Sequence, residues 1–362
     1  MNINAEIPKL MVRRFPPTRR QLIAIAAVLA LLCTAVPLWQ RYGPHTPKLK
    51  PGHLPEELVS VQLKDDIVNG GVIFTPRKES AKPVAIIWIH GWGVNFYQPT
   101  YVNIGRALAE RGFTCITGNT RMHDLGNVLA WRGNKRIRGG GYWGVASEEV
   151  RDIAAWIDFA GDRGFKEVVL VGHSAGWAAV TRYQAEIQDG RVVGVVVASG
   201  SVHPATPPTD PDQIAQATRM MAEGRPDDLV RDPKRSFPSF ISAATMLDMV
   251  NSPPEFKDFF GTRTETKDPR VTRIRCPLLA FFGTRGDVGT EATLKLLKSS
   301  IQRQSSGPSR VETVMIRGAD HMYAGEEAQV AETIAKWADT LVPPETGKGE
   351  STGNPRAGTT NP

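Results

Sequence analysis

Apolar and polar positions alternate along the chain with two different periods, and the switches between them mark its elements. ELVSVQL (57–63) and GVIFTP (71–76) carry strand-like patterning. The Asp65-Asp66 and Asn69-Gly70 turn signals between them predict an antiparallel hairpin. VAIIWI (84–89) is apolar throughout, as a strand covered on both faces would be. IGRALAERG (104–112) reads as a short helix stopped by glycine, and FTCIT (113–117) as the next strand. In SEEVRDIAAWIDFAGDRG (147–164), Val150, Ile153, Ala154 and Ile157 recur at helical spacing. Strands VVLV (168–171), VVGVVVAS (192–199), PLLAFFG (277–283) and VETVMI (311–316) follow, with helices over 289–303 and 325–341. Continuous apolar strands alternating with helices predict an α/β fold, a mostly parallel sheet covered by helices on both faces.

Two stretches break this rhythm. Residues 119–143 form a long polar segment ending in Arg138-Gly139-Gly140-Gly141-Tyr142-Trp143. Residues 200–275 hold no convincing strand but contain apolar helical pieces, FISAATMLDMV (240–250) and PEFKDFF (254–260), so a helical cap insertion is expected there. Its Met220, Met221, Phe237, Phe240, Met246, Met249, Phe259 and Phe260 read first as the cap's own small core. A lid shaping a lipophilic pocket is the alternative. The chain thus divides into a basic segment over 1–20, an apolar segment over 21–42, a linker over 43–55 and an α/β domain over 56–342. A tail over 343–362, rich in Gly, Thr, Pro and Glu, is expected to be disordered.

The composition, 41% hydrophobic and 22% charged over 362 residues, is that of a globular protein. The net charge of +7 suggests a nucleic-acid partner until it is located. Residues 1–41 hold six cations against Glu6 alone, which leaves the remainder nearly neutral and excludes a basic nucleic-acid face. LIAIAAVLALLCTAVPLW (22–39) is long enough to approach a bilayer span, and the cations before it keep the N-terminus cytoplasmic. A membrane anchor holding an exported catalytic domain is the favoured reading, with Trp39 and Tyr42 in the interfacial belt. Cleavage after Ala35, giving a secreted or periplasmic protein, is the alternative. Cys115 and Cys276 fall in or beside apparent strands and are expected to act as small buried hydrophobes. No sequence cluster suggests a metal site, and no cofactor is expected.

The chemistry-bearing stretch is VVLVGHSAGWAAV (168–180), an apolar strand running into Gly172-His173-Ser174-Ala175-Gly176. On a strained strand-to-helix turn, side chains two positions either side of Ser174 would collide, so only glycine or a very small residue fits there. A serine hydroxyl needs a base, and the base an orienting acid. In this strand-turn-helix arrangement the order is Ser, acid, His. After residue 203 the only histidine is His321, in RGADHMYAG after the last strand. Asp287 in FFGTRGDVG follows the preceding strand and suits the acid, whereas Asp320, adjacent to His321, is poorly placed for an in-line bond. Oxyanion donors are expected from the backbone N–H groups of Ala175 and of Trp92 in WIHGWGVN (88–95). His90 reads as a structural residue of that turn. Tyr142 and Trp143 are candidates for the substrate entrance. Arg132, Lys135, Arg136 and Arg138 read as a solvated face, with attraction of an anionic substrate as the alternative.

The strand series with HGWG, GHSAG, FFGTRGD and GADH in that order resembles the α/β-hydrolase superfamily over roughly residues 57–340. The resemblance implies a serine hydrolase of carboxylesterase or lipase type, acting on a small-molecule ester. HGWGVNFY with GNTRMHDLG (118–126) is also similar to esterase-like hydrolases with HGxGxNFY and NxRxHD patterns, some linked to siderophore esters; no substrate is transferred from that likeness. An amidase, a peptidase or a C–C bond hydrolase would use the same three residues. A catalytically silent binding or envelope-scaffold module is the rival from another class. Dinucleotide binding is disfavoured because no G-x-G-x-x-G follows the first parallel strand.

Overall fold

The computed structural model describes residues 48–132, 135–204, 208–231 and 240–341. The basic segment, the apolar anchor or signal segment, the first part of the linker, Phe237 and the tail expected to be disordered lie outside the described residues. Among the described residues, no helix is long and apolar enough to cross a membrane.

The described strands are β1 (Glu56–Gln62), β2 (Val68–Phe74), β3 (Val84–Ile89), β4 (Cys115–Gly118), β5 (Asn127–Arg132), β6 (Lys135–Gly139), β7 (Glu167–His173), β8 (Val192–Ala198), β9 (Leu229–Arg231), β10 (Phe240–Ser242), β11 (Leu278–Gly283) and β12 (Val311–Ile316). Eight of them make one sheet in the order β1-β2-β4-β3-β7-β8-β11-β12. β1, β2 and β4 pair antiparallel, and every later pair is parallel. The helices are α1 (Pro99–Glu110), α2 (Val150–Asp162), α3 (Gly176–Ile187), α4 (Pro211–Ala222), α5 (Ala243–Asn251), α6 (Pro254–Lys257), α7 (Glu291–Gln302) and α8 (Glu327–Asp339).

Strand β3 shows why the apolar runs are continuous. Val84, Ile86 and Trp88 enter the core shared with α1 and α8, while Ala85, Ile87 and Ile89 enter the opposite core shared with α2 and α3. Period-two alternation onto two covered faces leaves no polar position. Cys115 lies in the first of these cores and Cys276 packs at the edge of the second; both are free thiols, and burial pushes Cys276 up to about 12.

Two segments hold strands that their patterning did not reveal. The polar segment 119–143, for which the sequence pattern assigns no element, contains an antiparallel hairpin of β5 and β6. A register shift between Val128 and Ala130 breaks the alternation that would have revealed a strand, and Val128 is exposed while Leu129 is buried. The insertion likewise contains strands β9 and β10, each three residues long, too short to show a period. Ala217, Met220, Ile241 and Met246 build the cap's own core, with Met249 packed on it, as expected. Phe259 and Phe260 instead join the main-domain core beneath β11 and α7, where Trp177 packs on them. Met221 and Phe240 are exposed.

Candidate active site

The parallel pairing brings Ile89 beside Gly172, His173 beside Ala198, Ala198 beside Phe281, and Gly283 beside Ile316. The loops that follow these strands therefore leave from one edge of the sheet, and they carry the candidate residues.

Only Ser174 and Ala175 separate β7 from α3. Ser174 has φ of 50°, a conformation that a non-glycine residue holds only when its surroundings enforce it. The enforcement is steric. A Cβ on Gly172 would lie 2.4 Å from the Gly176 carbonyl oxygen, and one on Gly176 would lie 2.3 Å from that of His90. Gly91 is equally confined, since a Cβ there would come within 2.8 Å of the Ser174 Cβ. The loop after β3 is thus packed directly against the serine.

His321 leaves the loop after β12 and brings Nε2 to 3.0 Å from Ser174 Oγ. Its Nδ1 lies 2.9 Å from Asp287 Oδ1. A carboxylate only accepts, so Nδ1 carries the proton and Nε2 is left to accept from the serine hydroxyl. The Asp287 side chain is fully buried. Its oxygens also accept from Gly283 N at 2.6 Å, Val288 N at 2.7 Å and Ser199 Oγ at 2.5 Å. Burial pushes its pKa up, but bonds from His321, Ser199 and the two backbone N–H groups outweigh that and hold it below the ordinary carboxylate value. Asp320 is occupied otherwise, its Oδ1 accepting from the N–H groups of Met322 and Ala324.

Ala175 is the N-cap of α3, where the helix dipole favours negative charge. Trp92 follows Gly91, and its indole Nε1 donates to the Gly141 carbonyl at 3.0 Å. The Tyr142 ring meets Trp92 edge-on at 6.2 Å. Trp143 is held differently: its Nε1 donates to the Asp227 carbonyl at 2.8 Å and the Arg138 guanidinium lies over its ring. Ser242 N donates to the Tyr142 carbonyl, so both aromatic residues tie the cap to this segment. Arg136, Arg138 and Trp143 line a cavity of about 260 Å³ together with Glu148 and Asp227. Arg136 and Arg138 therefore share this cavity with acidic groups, and the side chains of Arg132 and Lys135 lie outside the described residues.

The two motifs HGWGVNFY and GNTRMHDLG brace one another. Asn95 Nδ2 donates to Asp124 Oδ1 at 2.7 Å, and Phe96 N donates to Asn119 Oδ1 at 2.8 Å. Thr120 N donates to His90 Nε2 at 3.0 Å, so His90 Nδ1 carries the proton and donates to the Gly91 carbonyl. Burial lowers His90 to about 4, which keeps it neutral and structural. Arg121 is buried and bonds Asp152, Glu148 and Asp65.

Four residues here were not anticipated from the sequence. Ser199, at φ of 51°, bonds both Asp287 and the hydroxyl of buried Tyr323, itself at φ of 60°. His173 and Tyr101 join at 2.7 Å. Positive φ at the non-glycine residues Ser174, Ser199 and Tyr323 is the signal that marks this cluster, and it is conformational rather than compositional.

Such a sheet, with a serine elbow at its carboxyl edge, is the architecture of an α/β hydrolase. The model of the alpha/beta hydrolase family matches residues 86–333, and the chain belongs to that family. No curated protein matches the sequence. Among solved structures, the chain is similar to Est1E from Butyrivibrio proteoclasticus, at 15% identity over 79% of this chain and 98% of that one, with a TM-score of 0.52. It is similar to a thermostable carboxyl esterase from Bacillus coagulans, at 14% identity over 80% and 100%, with a TM-score of 0.55. A third, DcsB in complex with a substrate analogue, gives 12% identity over 80% and 99%, with a TM-score of 0.57. At these identities the likeness is one of fold.

Proposed function

We propose that the protein is a serine hydrolase that cleaves a carboxylic ester through an acyl-enzyme on Ser174. The observation that carries this reading is the unbroken row from Asp287 through His321 to Ser174, at 2.9 and 3.0 Å. His321 Nε2 takes the hydroxyl proton as Ser174 Oγ bonds the ester carbonyl carbon. Asp287 holds the imidazole tautomer and faces the imidazolium that forms. The oxyanion is met by the N–H groups of Ala175 and Trp92. The C–O bond then breaks, the alkoxide leaving with the proton from His321. Water, deprotonated by the same imidazole, attacks the acyl carbon and releases the acid and free Ser174. Tyr142 and Trp143 border the entrance on the cap side. The fold neighbour from Bacillus coagulans, named as a carboxyl esterase, supports an ester as the substrate class.

The test is a fluorophosphonate probe and a panel of p-nitrophenyl esters, peptides and β-diketones. Wild type is expected to label at Ser174 and to turn over esters fastest. Ser174→Ala should abolish labelling and lower kcat at least about a thousandfold. Full ester turnover by Ser174→Ala would overturn the mechanism. Preference for amides or diketones would replace the ester reading, and unlabelled wild type would favour a binding module. We also propose that residues 21–42 anchor an exported domain. A mature N-terminus near Val36 would overturn that.

A further inference from the structure

His173, between Gly172 and Ser174 in the elbow pentapeptide, has no part in the steps above, yet its imidazole is fully buried. We propose that His173 is a positioning residue that fixes the main chain of His321 relative to the loop carrying Gly91 and Trp92. The inference rests on the serine-hydrolase reading and adds a residue to it.

The bonds along this row have only one consistent set of directions. His173 Nε2 lies 2.8 Å from the main-chain carbonyl oxygen of His321, which can only accept, so Nε2 carries the proton. Nδ1 is then an acceptor, and the Tyr101 hydroxyl 2.7 Å away donates to it. The hydroxyl oxygen in turn accepts the Gly91 N–H at 3.4 Å. Four segments are thereby joined: the loop after β3, helix α1, the elbow, and the loop bearing His321. Rings of Trp88, Tyr101, Tyr323 and His321 enclose the imidazole, with centroids 5.0 to 6.2 Å away. An apolar side chain would fill this space without the desolvation cost of an imidazole, which is offset here because both nitrogens are bonded. Burial, with the neighbouring His321 adding to it, lowers His173 to about 3, so the neutral form the row requires is the one present at neutral pH.

The consequence for reaction is geometric. His173 is adjacent to Ser174 and grips the backbone of the residue whose Nε2 must meet Ser174 Oγ. Misplacement of a reacting group by about 1 Å can lower a rate about a hundredfold.

The experiment uses the full chain and three variants, His173→Leu, His173→Gln and Tyr101→Phe. Active serines are counted with the fluorophosphonate probe, so that kcat is expressed per labelled site and a misfolded fraction drops out. Labelling of wild type at Ser174 comes first, and its failure would count against the serine-hydrolase reading alone. In His173→Leu, kcat per labelled site is expected to fall about 10- to 100-fold with KM within about twofold. In His173→Gln, the amide N–H can donate to the His321 carbonyl and its oxygen can accept from Tyr101, so most of that loss should be recovered. Tyr101→Phe should lower kcat in the same sense and add little to His173→Leu in the double variant, because both cut one row. Wild-type kcat per site in His173→Leu, or equal impairment in the Leu and Gln variants, would overturn the proposal. Should His173→Leu not fold, Tyr101→Phe decides alone: unchanged kcat per site overturns it.

Discussion

Ser199→Ala removes a single oxygen from behind the acid, and the structure fixes what that should do. Ser199 Oγ donates to Asp287 Oδ2 at 2.5 Å and touches the hydroxyl of Tyr323 on its other side. After substitution Asp287 keeps His321 Nδ1, Gly283 N and Val288 N, so it stays ionised at neutral pH. A hydrogen bond to a charged group contributes about 1.5–3 kcal/mol net, and the buried Tyr323 hydroxyl also loses a partner. The expected loss of stability at pH 7 is about 2–4 kcal/mol, which for a domain of this size is roughly 3–7 °C in Tm. Because the carboxylate charge persists in ground and transition states alike, kcat should fall no more than about tenfold.

The pH dependence separates this account from simple loss of packing. Asp287 has its folded pKa below the unfolded value, so its contribution is present above the unfolded value near 3.9 and is lost as pH falls through the folded one. Removing a donor moves the folded pKa up. The gap in unfolding free energy between wild type and Ser199→Ala should therefore be widest at neutral pH and narrow as pH falls through the variant's folded pKa toward that of wild type. Urea titrations from pH 7 down to the lowest pH at which the native state persists measure it. A gap that stays constant across that range, or a gap at pH 7 below about 0.5 kcal/mol, refutes the argument that the hydroxyl acts on the carboxylate.

The elements of this site that can be read from sequence are those whose chemistry needs a particular residue at a particular strand end. GHSAG is legible because an apolar strand precedes it and because its glycines are demanded by close approach, which the 2.3 and 2.4 Å encounters at Gly176 and Gly172 express directly. His321 is legible because the late chain offers no other histidine. Asp287 is separable from Asp320 because adjacent side chains on an extended chain diverge, and Asp320 indeed caps its own loop. Ser199, Tyr323, Tyr101 and His173 are not legible. Their partners lie 72 to 148 residues away, and no local pattern announces a hydroxyl that will meet a carboxylate only after the sheet has formed. The hairpin of β5 and β6 escapes for the opposite reason: its local pattern exists but a bulge scrambles it.

The remaining predictions address the acid, the brace and the buried carboxyls. Asp287→Asn should lower kcat about 10⁴-fold, since the amide disturbs the His321 tautomer, and should lower Tm as well, because the amide nitrogen cannot accept the donors that the buried carboxylate oxygen accepts; a loss in kcat below about tenfold would exclude Asp287 as the orienting acid. Arg121→Met should destabilise by about 3–5 kcal/mol in urea unfolding, because it strips the guanidinium from Asp152, whose side chain is fully buried. Adding Asp152→Leu should recover part of that loss, and a double variant as unstable as the sum of both singles would refute the pairing. Glu149 gives the pH dependence of the opposite sign. Burial raises it to about 8, with Asp152 nearby adding to the rise and the Thr120 hydroxyl opposing it. The native chain therefore holds a proton that the unfolded chain releases between about pH 4.5 and 8. Stability attached to this group is present below the unfolded value and drains away as pH climbs through the folded one. Glu149→Gln keeps an oxygen to accept from Thr120 Oγ1, a bond of 2.7 Å in wild type, but cannot ionise. The variant should thus lose less stability than wild type between pH 5 and 8. Parallel curves would mean that Glu149 does not hold its proton through this window.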